Sequence, residues 1–182
     1  NAETFQQKGI QKVITHCPHC LNSLKNEYPE FGVYLDVIHH SELLETLIAD
    51  GKISTEEKTN DNVVVHDSCY LGRHNGVYDA PRNVLAAEVE NVQEVEQSRE
   101  TGTCCGAGGA RFLLEENTGT RMSHHRLDEL MVTNPDTIAV SCPYCVLMLE
   151  DAVKAKGLEG KVKVRDIGEM INNKIKSPQP PS

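Results

Sequence analysis

Two copies of one stretch decide the fold: KVITHCPHCL at residues 12–21 and TIAVSCPYCV at residues 137–146. Each begins with a short run rich in β-branched residues, which is typical of a strand, and continues with Cys-Pro-x-Cys and a helix-like segment. Proline suits the first turn of a helix, where its missing N–H would lack a partner in any case. A second strand and an acidic, apolar helix follow each copy, starting at Asp36 and at Val162. We interpret the two copies as an internal duplication.

Strand-like and helix-like segments alternate along the rest of the chain. Residues 62–66 and 92–96 have strand patterns, and residues 80–87 and 119–132 have helical ones. This alternation predicts an α/β fold of tandem βα modules, the first of them truncated, with largely parallel sheets and helices on both faces. We expect four segments: the C-terminal part of a first module (1–52), a linker (53–62), a complete second module (63–175) and a disordered tail (176–182).

Composition excludes several classes of protein. The net charge of −9 argues against a nucleic-acid binder, which would present a basic face. No apolar run approaches the ~20 residues that span a bilayer, and no signal peptide is evident. Because the chain starts at Asn1 in helix-like sequence, we expect a piece of a longer protein or a processed product. Seven cysteines, an odd number that includes two CxxC pairs, favour metal or redox chemistry over a secreted disulfide framework.

Five of the cysteines form one pattern: Cys69, the adjacent pair Cys104 and Cys105, then Cys142 and Cys145. Sites in open α/β sheets form beyond the carboxyl ends of strands, and both Cys69 and Cys142 follow a strand directly. Helix N-termini at the CxxC motifs would stabilise thiolates. We therefore expect the three segments to converge on one point. Five thiolates are more than one zinc ion or a regular cubane cluster needs, and adjacent cysteines suit different irons of an opened cluster.

Glycines follow the adjacent cysteines and sharpen this hypothesis. Without a Cβ, they allow backbone N–H groups to approach the sulfurs of a cluster, and such hydrogen bonds tune its potential. The run is not a dinucleotide fingerprint, because it lacks the G-x-G-x-x-G spacing and follows cysteine rather than a strand. The glycines concerned are Gly106, Gly108 and Gly109.

This arrangement resembles the CCG (cysteine-rich) domain of heterodisulfide reductase and of the iron–sulfur proteins that take part in the oxidation of glycolate, lactate and glycerol-3-phosphate. The stretches HDSCYLGRHN at 66–75 and CCGAGGAR at 104–111 are most similar to membrane-associated iron–sulfur oxidoreductases that pass electrons from electron-transfer flavoprotein toward quinone. Ser68 departs from the pattern, since relatives commonly have proline there. The resemblance extends to about Asn173.

The resemblance implies that all five cysteines of the pattern ligate a [4Fe-4S] cluster of the non-cubane type. It makes Cys17 and Cys20 the last two ligands of a preceding module, and they are candidate metal ligands. The implied function is an electron relay between a flavin or ferredoxin-type centre and a quinone or disulfide acceptor. The chain would be a fragment or subunit of an oxidoreductase, inactive alone and without a catalytic acid–base residue. It would be cytoplasmic, at or near the cytoplasmic face of a membrane reached through other parts or partners.

Charged residues near the cysteines are candidates for the surroundings of the cluster. Arg73 and Arg111 could offset its charge or contact an anionic or quinone head group; surface salt bridges are the alternative. Four histidines, like Arg73, lie beside cysteine positions, which favours a role around the cluster: His16, His19, His66 and His74. We expect a structural role for His39 and His40, by equivalence with Arg165 and Asp166 in the second copy. His124 and His125 should be solvated on a polar helix.

Two other functions remain open at this point. The first is a zinc-binding structural or assembly domain without turnover. The second is dithiol–disulfide exchange at Cys142 and Cys145, which leaves Cys104 and Cys105 unexplained. For Cys17 and Cys20, an unliganded or disulfide-bonded pair is the alternative to a metal site.

Overall fold

A computed structural model describes residues 1–53, 58–114 and 118–172 of the 182-residue chain. These ranges contain the strands β1 (Lys12–Thr15), β2 (Asp36–His39), β3 (Val63–Val65), β4 (Val92–Gln93), β5 (Thr137–Val140) and β6 (Lys163–Asp166). Their α-helices are α1 (Ala2–Lys8), α2 (Pro18–Asn22), α3 (His40–Ala49), α4 (Asp79–Ala86), α5 (Met122–Met131), α6 (Pro143–Ala155) and α7 (Ile167–Asn172). A π-helical turn (Ser23–Glu27) and 3-10 turns (Tyr28–Phe31, Arg99–Thr101, Gly108–Leu113) complete the described secondary structure.

The described strands form two sheets, and neighbouring strands within each sheet are parallel. β1 pairs with β2, and the second sheet has the order β4-β3-β5-β6. Parallel neighbours need crossover connections, which α2 and the turns after it supply between β1 and β2, and α6 supplies between β5 and β6. The prediction of an α/β fold with largely parallel sheets is confirmed.

The larger sheet is buried on both faces. In β5, Ile138 and Val140 pack into a cluster with α5 and α6, whereas Ala139 packs into a second cluster with α4 and α7. Val64 of β3 joins the first cluster, and its neighbours in β3 join the second. Successive side chains of a strand point to opposite faces, so this division places helices on both sides of the sheet, as predicted.

The two Cys-Pro-x-Cys units adopt the same strand–helix–strand–helix arrangement. Thr15 is the register partner of His39 in β1–β2, and Val140 is the partner of Asp166 in β5–β6. His39 and Asp166 each accept a hydrogen bond from the backbone N–H two residues later, at the start of α3 and α7. His39 therefore matches Asp166, and our pairing of His39-His40 with Arg165-Asp166 was wrong by one residue.

The first unit packs directly on the second. Leu44 and Ile48 of α3 contact the apolar cluster formed with α4 and α7. His40 Nε2 lies 3.0 Å from Asp166 Oδ1, which links the starts of the two equivalent helices. The helix α3 thus packs on α4 and α7, two helices on one face of the larger sheet, rather than forming a separate body.

Three local expectations need adjustment. The strand expected at 92–96 ends at Gln93, because Glu94 turns to pair with Arg82. Part of the expected linker pairs with the second module, since Thr59 forms a parallel bridge with Val89. His124 is half-buried rather than solvated, and its Nε2 is buried.

Parts of the expected linker and tail cannot be compared with the structure. Residues 54–57 of the expected linker and the whole expected tail, 176–182, lie outside the described residues. Among the helices within 1–53, 58–114 and 118–172, none has the length and apolarity to cross a bilayer.

Candidate metal centre

The five cysteines of the sequence pattern surround one enclosed cavity at the carboxyl edge of the larger sheet. Cys69 follows β3, Cys142 follows β5, and Cys104 and Cys105 come from the loop segment that follows β4 in the chain. Three distant segments therefore meet where parallel strands end, as expected. The residues that line the cavity are Cys69, Cys104, Cys105, Cys142 and Cys145, with His19, Ser68, Tyr70, Ala107 and Gly108.

The sulfurs lie close together and are largely shielded from water. Cys105 Sγ lies 3.5 Å from Cys145 Sγ, and Cys69 Sγ lies 4.0 Å from Cys104 Sγ. Cys105, Cys142 and Cys145 are buried, whereas Cys69 and Cys104 are half-buried. All seven cysteines lie in the described ranges, and none of them forms a disulfide.

Cys142 lies at the N-cap of α6 and is one of two thiolates of the cavity. The cysteine has extended backbone, and Pro143 opens the 13-residue helix. Hydrogen bonding to Cys145, together with His19 and backbone N–H groups of the first turn, lowers the pKa of Cys142 to about 5. Helix N-termini favour thiolates in this way.

Cys104 is the second thiolate of the cavity. Hydrogen bonds from Cys105 and then Cys69, with the Gly106 N–H, lower the pKa of Cys104 to about 2. The same contacts act in the opposite direction on their partners: hydrogen bonding to Cys104 raises the pKa of Cys105 to about 12 and raises that of Cys69. The bond to Cys105 raises the pKa of Cys145. Metal binding here would therefore release protons from the three neutral thiols.

Gly106 shows why the pair is followed by glycine. Its φ is +88°, and a Cβ at this position would lie 2.9 Å from Met122 Cβ. Only glycine adopts this conformation and tolerates this approach without strain. The resulting turn aims the Gly106 N–H at Cys104 Sγ, at 3.3 Å. Gly108 lines the cavity, and Gly109, with φ +65°, lies in the 3-10 turn beside it.

The charged candidates occupy the rim. Arg73 Nη2 donates to the Gly102 carbonyl at 2.6 Å, so Arg73 braces the loop that leads to Cys104. The His74 ring stacks on Tyr70, with centroids 4.3 Å apart. Arg111 lines a neighbouring pocket together with Cys104.

His19 connects the first Cys-Pro-x-Cys unit to this centre. Its ring packs against Tyr70, with centroids 4.1 Å apart, and against Tyr144 at 5.3 Å. Hydrogen bonds to Cys142 and then to Cys17 raise the pKa of His19 to about 9. The sequence placed His19 beside a cysteine, but nothing in it indicated that the ring reaches the cysteines of the second module.

Cys17 and Cys20 lie at the start of α2 and differ in exposure. Cys17 is buried and Cys20 is exposed. Burial acts to raise the pKa of Cys17, but hydrogen bonds with His19 and Cys20 together outweigh it and the pKa is lowered. Burial, and then hydrogen bonding to Cys17, raise the pKa of Cys20.

Sequence reasoning missed a buried arginine behind the cavity. Arg126 Nε donates to His66 Nδ1 at 3.1 Å, and His66 Nε2 lies 3.3 Å from Cys145 Sγ. Burial, and then the charge of Arg126, lower the pKa of His66 to about 3, so the ring is neutral. Arg126 stands between Ser123 and Leu130 on the buried face of α5. A charged residue on the helix face that also carries Leu127 and Leu130 was the available signal.

A family model described as "Cysteine-rich domain" (CCG) matches residues 1–25 and 63–150, which is more than half of the chain. The matched ranges contain all seven cysteines.

Curated relatives match almost the whole chain. An EtfAB:quinone oxidoreductase of Syntrophomonas wolfei is 44% identical over 178 residues, which cover 94% of this chain and 25% of the relative. The probable iron-sulfur-binding oxidoreductase FadF of Bacillus subtilis is also 44% identical, over 96% of this chain and 25% of the relative. One subunit of the dihydromethanophenazine:CoB–CoM heterodisulfide reductase from Methanosarcina barkeri is 35% identical, over 94% of this chain and 42% of the relative. The chain thus spans a quarter of the length of the first two relatives.

Proposed function

The chain belongs to the CCG family of cysteine-rich domains, and we propose that it is an iron–sulfur electron-transfer domain of a heterodisulfide reductase-like oxidoreductase. One observation carries this proposal: five thiols from three distant segments line one enclosed cavity. The iron–sulfur and heterodisulfide reductase names of the relatives support it.

The donor set fits an iron–sulfur group. Soft thiolates select iron–sulfur clusters and zinc, but a structural zinc ion is satisfied by four ligands and this cavity offers five. The sulfur separations of 3.5 and 4.0 Å are close to the ~3.8 Å between two thiolates on one tetrahedral metal ion with bonds of about 2.3 Å, a spacing that fits iron and zinc alike, so the number of thiolates is what favours the cluster. Cys69, Cys104, Cys105, Cys142 and Cys145 would hold the group, a [4Fe-4S] cluster of non-cubane type.

Such a cluster would supply one-electron chemistry, and the chain would position it and set its potential. The N-terminus of α6 and the Gly106 N–H stabilise negative charge on Cys142 and Cys104. Burial of Cys105, Cys142 and Cys145 keeps water from three of the five sulfurs. Arg73 holds the Cys104 loop through the Gly102 carbonyl, so its contribution is to position this loop.

We propose partners on the basis of what the relatives are named for. Electrons would arrive from a flavoprotein or ferredoxin-like centre and leave toward a quinone or a disulfide. Residues 63–175 would form one complete module, and residues 1–52 the last part of another. Cys17 and Cys20 would then serve a second group whose other ligands lie outside this chain. A cytoplasmic location, beside a membrane reached through partners, accords with this role.

A zinc site is the second candidate, and one observation favours it. Ligand atoms of His66, Cys105 and Cys145 all lie within 4.8 Å of one another, and all three residues are buried. Three ligands of this type occur in structural zinc sites, which a fourth thiolate completes. Dithiol exchange is less well supported, because Cys142 is 1% exposed and Cys145 is 2% exposed. A disulfide substrate could not reach these sulfurs.

Anaerobic reconstitution tests the proposal. The chain is incubated with iron and sulfide, and iron, acid-labile sulfide and zinc are measured alongside visible and EPR spectra. We expect iron and sulfide in equal amounts and an EPR signal after oxidation or reduction. Stoichiometric zinc without iron, and no EPR signal, would contradict the cluster.

Cysteine variants test the ligand set. Cys105→Ser should lose iron from the cavity. Cys20→Ser is the matched control for this chain, because its thiol is exposed and outside the cavity and the other ligands proposed for its own group lie outside the chain. Unchanged iron in Cys105→Ser would mean that the five-ligand assignment is wrong.

A further inference from the structure

A buried chain of hydrogen bonds runs from α5 to the metal centre. Arg126 Nε lies 3.1 Å from His66 Nδ1, and His66 Nε2 lies 3.3 Å from Cys145 Sγ. Arg126 is fully buried, and His66 and Cys145 are each 2% exposed. Arg126 is held from the other side by Glu129 Oε2 and by the Gln97 carbonyl, each at 2.8 Å. The arginine is therefore fixed in place and directs one N–H at the imidazole.

The chemistry of arginine decides which imidazole nitrogen carries the proton. A guanidinium has five N–H donors and no acceptor, so His66 Nδ1 must be the acceptor of this bond. In a neutral imidazole the other nitrogen then carries the hydrogen. His66 Nε2 is consequently a donor, and the sulfur it faces, Cys145 Sγ, is the acceptor.

This polarity is the reverse of that in a metal-bound histidine. A histidine that ligates a metal donates its other ring N–H to a carboxylate, carbonyl or water. If His66 bound a metal through Nε2, its Nδ1 would have to donate a hydrogen bond. The group beside Nδ1 is the Arg126 guanidinium, which cannot accept one. Ligation through Nε2 would leave Nδ1 without a proton and the ring as a buried anion. Proximity alone makes His66 a ligand candidate, and Arg126 argues against it.

We propose that His66 is a hydrogen-bond donor to the Cys145 sulfur and not a metal ligand, and that Arg126 is the positioning residue that fixes this role. The candidate zinc site of His66, Cys105 and Cys145 then has one ligand fewer. In the five-cysteine site, the Cys145 sulfur gains a hydrogen-bond donor that stabilises it. This assignment concerns the protein side chains and holds for any metal that Cys145 binds.

The effect on potential rests, in addition, on the proposed function. A hydrogen bond to a ligating sulfur stabilises the more negative, reduced form of a cluster. The charge of Arg126 is paired with Glu129, so Arg126 contributes by holding the His66 donor in place. His66 and Arg126 should therefore raise its reduction potential.

The tautomer is tested on the metal-free chain. Long-range ¹H–¹⁵N correlation spectra report which ring nitrogen of His66 carries the proton. We expect Nε2 to be protonated and Nδ1 not, and Arg126→Met to allow both tautomers. A proton on Nδ1 in the unsubstituted chain would overturn the proposal, whatever metal the protein binds.

Two substitutions of His66 separate a donor from a ligand. His66→Gln keeps an N–H near the place of Nε2, whereas His66→Leu removes it. Loss of an outer hydrogen bond costs about 10- to 100-fold in metal affinity. We expect that loss for His66→Leu, less than about tenfold for His66→Gln, and full metal stoichiometry in both. Equal and complete loss of metal in both variants, with His16→Gln unaffected as the control, would show that His66 is a ligand.

Potentiometry adds a readout that a purely structural role would not move. In the iron-loaded protein, the midpoint potential should become more negative in His66→Leu and in Arg126→Met and stay near the original value in His66→Gln. A midpoint unchanged in His66→Leu would contradict the donor role. If the chain binds zinc instead of iron, the proposed function fails, while the tautomer and the zinc affinities of the two variants still decide this inference.

Discussion

The two Cys-Pro-x-Cys units share a local structure and differ in burial. The four residues of β1 alternate between exposed and half-buried, whereas all four residues of β5 are buried. Cys20 is exposed, and its counterpart Cys145 is buried in the cavity. The helix after the first motif has five residues before it widens into a π-helical turn, and α6 has 13.

The neighbours of each unit account for this difference. β5 lies between β3 and β6, and helices cover both faces of their sheet. β1 has β2 as its partner within the described chain. The motif alone therefore produces a strand, a turn and a helix start with two cysteines. The flanking strands and the loops that carry Cys69, Cys104 and Cys105 convert one copy into a closed site.

The largest effect should come from breaking the ion pair beside the closed site. Arg82 forms two hydrogen bonds with Asp67, at 2.8 and 2.9 Å, and the exposed fractions of the two side chains are 11% and 7%. Arg82→Met leaves a buried carboxylate without its partner and should lower the free energy of unfolding by about 3–5 kcal/mol. Urea unfolding of the metal-free chain measures it.

The matched control is the exposed pair in the first unit. Lys12 and Asp36 join β1 to β2 with side chains that are 65% and 60% exposed. Lys12→Met should change the free energy of unfolding by about 0–1 kcal/mol. Equal losses in the two variants would mean that burial does not distinguish the two units.

The same apolar substitution in each strand gives the next effect. Ile138 in β5 is fully buried and Ile14 in β1 is 51% exposed. Ile138→Ala removes methyl groups from the core and should cost about 2–5 kcal/mol, whereas Ile14→Ala should stay within about 0.5 kcal/mol. Denaturant midpoints of the two variants check this difference, and a large cost for Ile14→Ala would indicate that β1 is covered in the folded chain.

Local signals in the sequence predicted much of this fold. β-Branched runs ending in Cys-Pro-x-Cys identified the strands and helix starts at both units. The convergence of Cys69 and Cys142 followed from one rule, that parallel strands place their carboxyl ends on the same edge, whereas Cys104 lies in a loop well after β4 that this rule does not place. That these cysteines are ligands stays a prediction, because proximity of the sulfurs does not by itself show that they bind a metal.

Two contributors to the site were missed from the sequence, because they depend on packing between distant segments. His19 reaches Cys142 only because the first unit packs on the second. The relative orientation of two packed units cannot be predicted from the local sequence of either one. Arg126 reads as an ordinary helix residue until its burial is known. Even so, an arginine within the stripe of Ser123, Leu127 and Leu130 is a recognisable anomaly.

The smallest effect concerns the equivalent cap positions, where the first unit has His39 and the second has Asp166. Burial, and then the charge of His40, lower the pKa of His39 to about 3 from its ordinary value near 6.5. Between these values the unfolded chain binds a proton that the folded chain does not, so stability falls as the pH falls from 6.5 toward 3. The slope from this histidine reaches about 1.4 kcal/mol per pH unit.

His39→Asn should reduce that slope without removing the cap. His39 Nδ1 accepts from the Ser41 N–H, and asparagine is a strong N-cap that can accept the same bond but does not titrate. We expect urea unfolding of the metal-free chain at several pH values between about 4 and 6.5 to show a shallower loss of stability in the variant. Other titrating groups are common to both proteins, so the difference in slope isolates His39. If the stability of the two proteins changed with pH in parallel, protonated His39 would be tolerated in the folded first unit. The His39 and Asp166 caps would then differ in residue type but not in their response to pH.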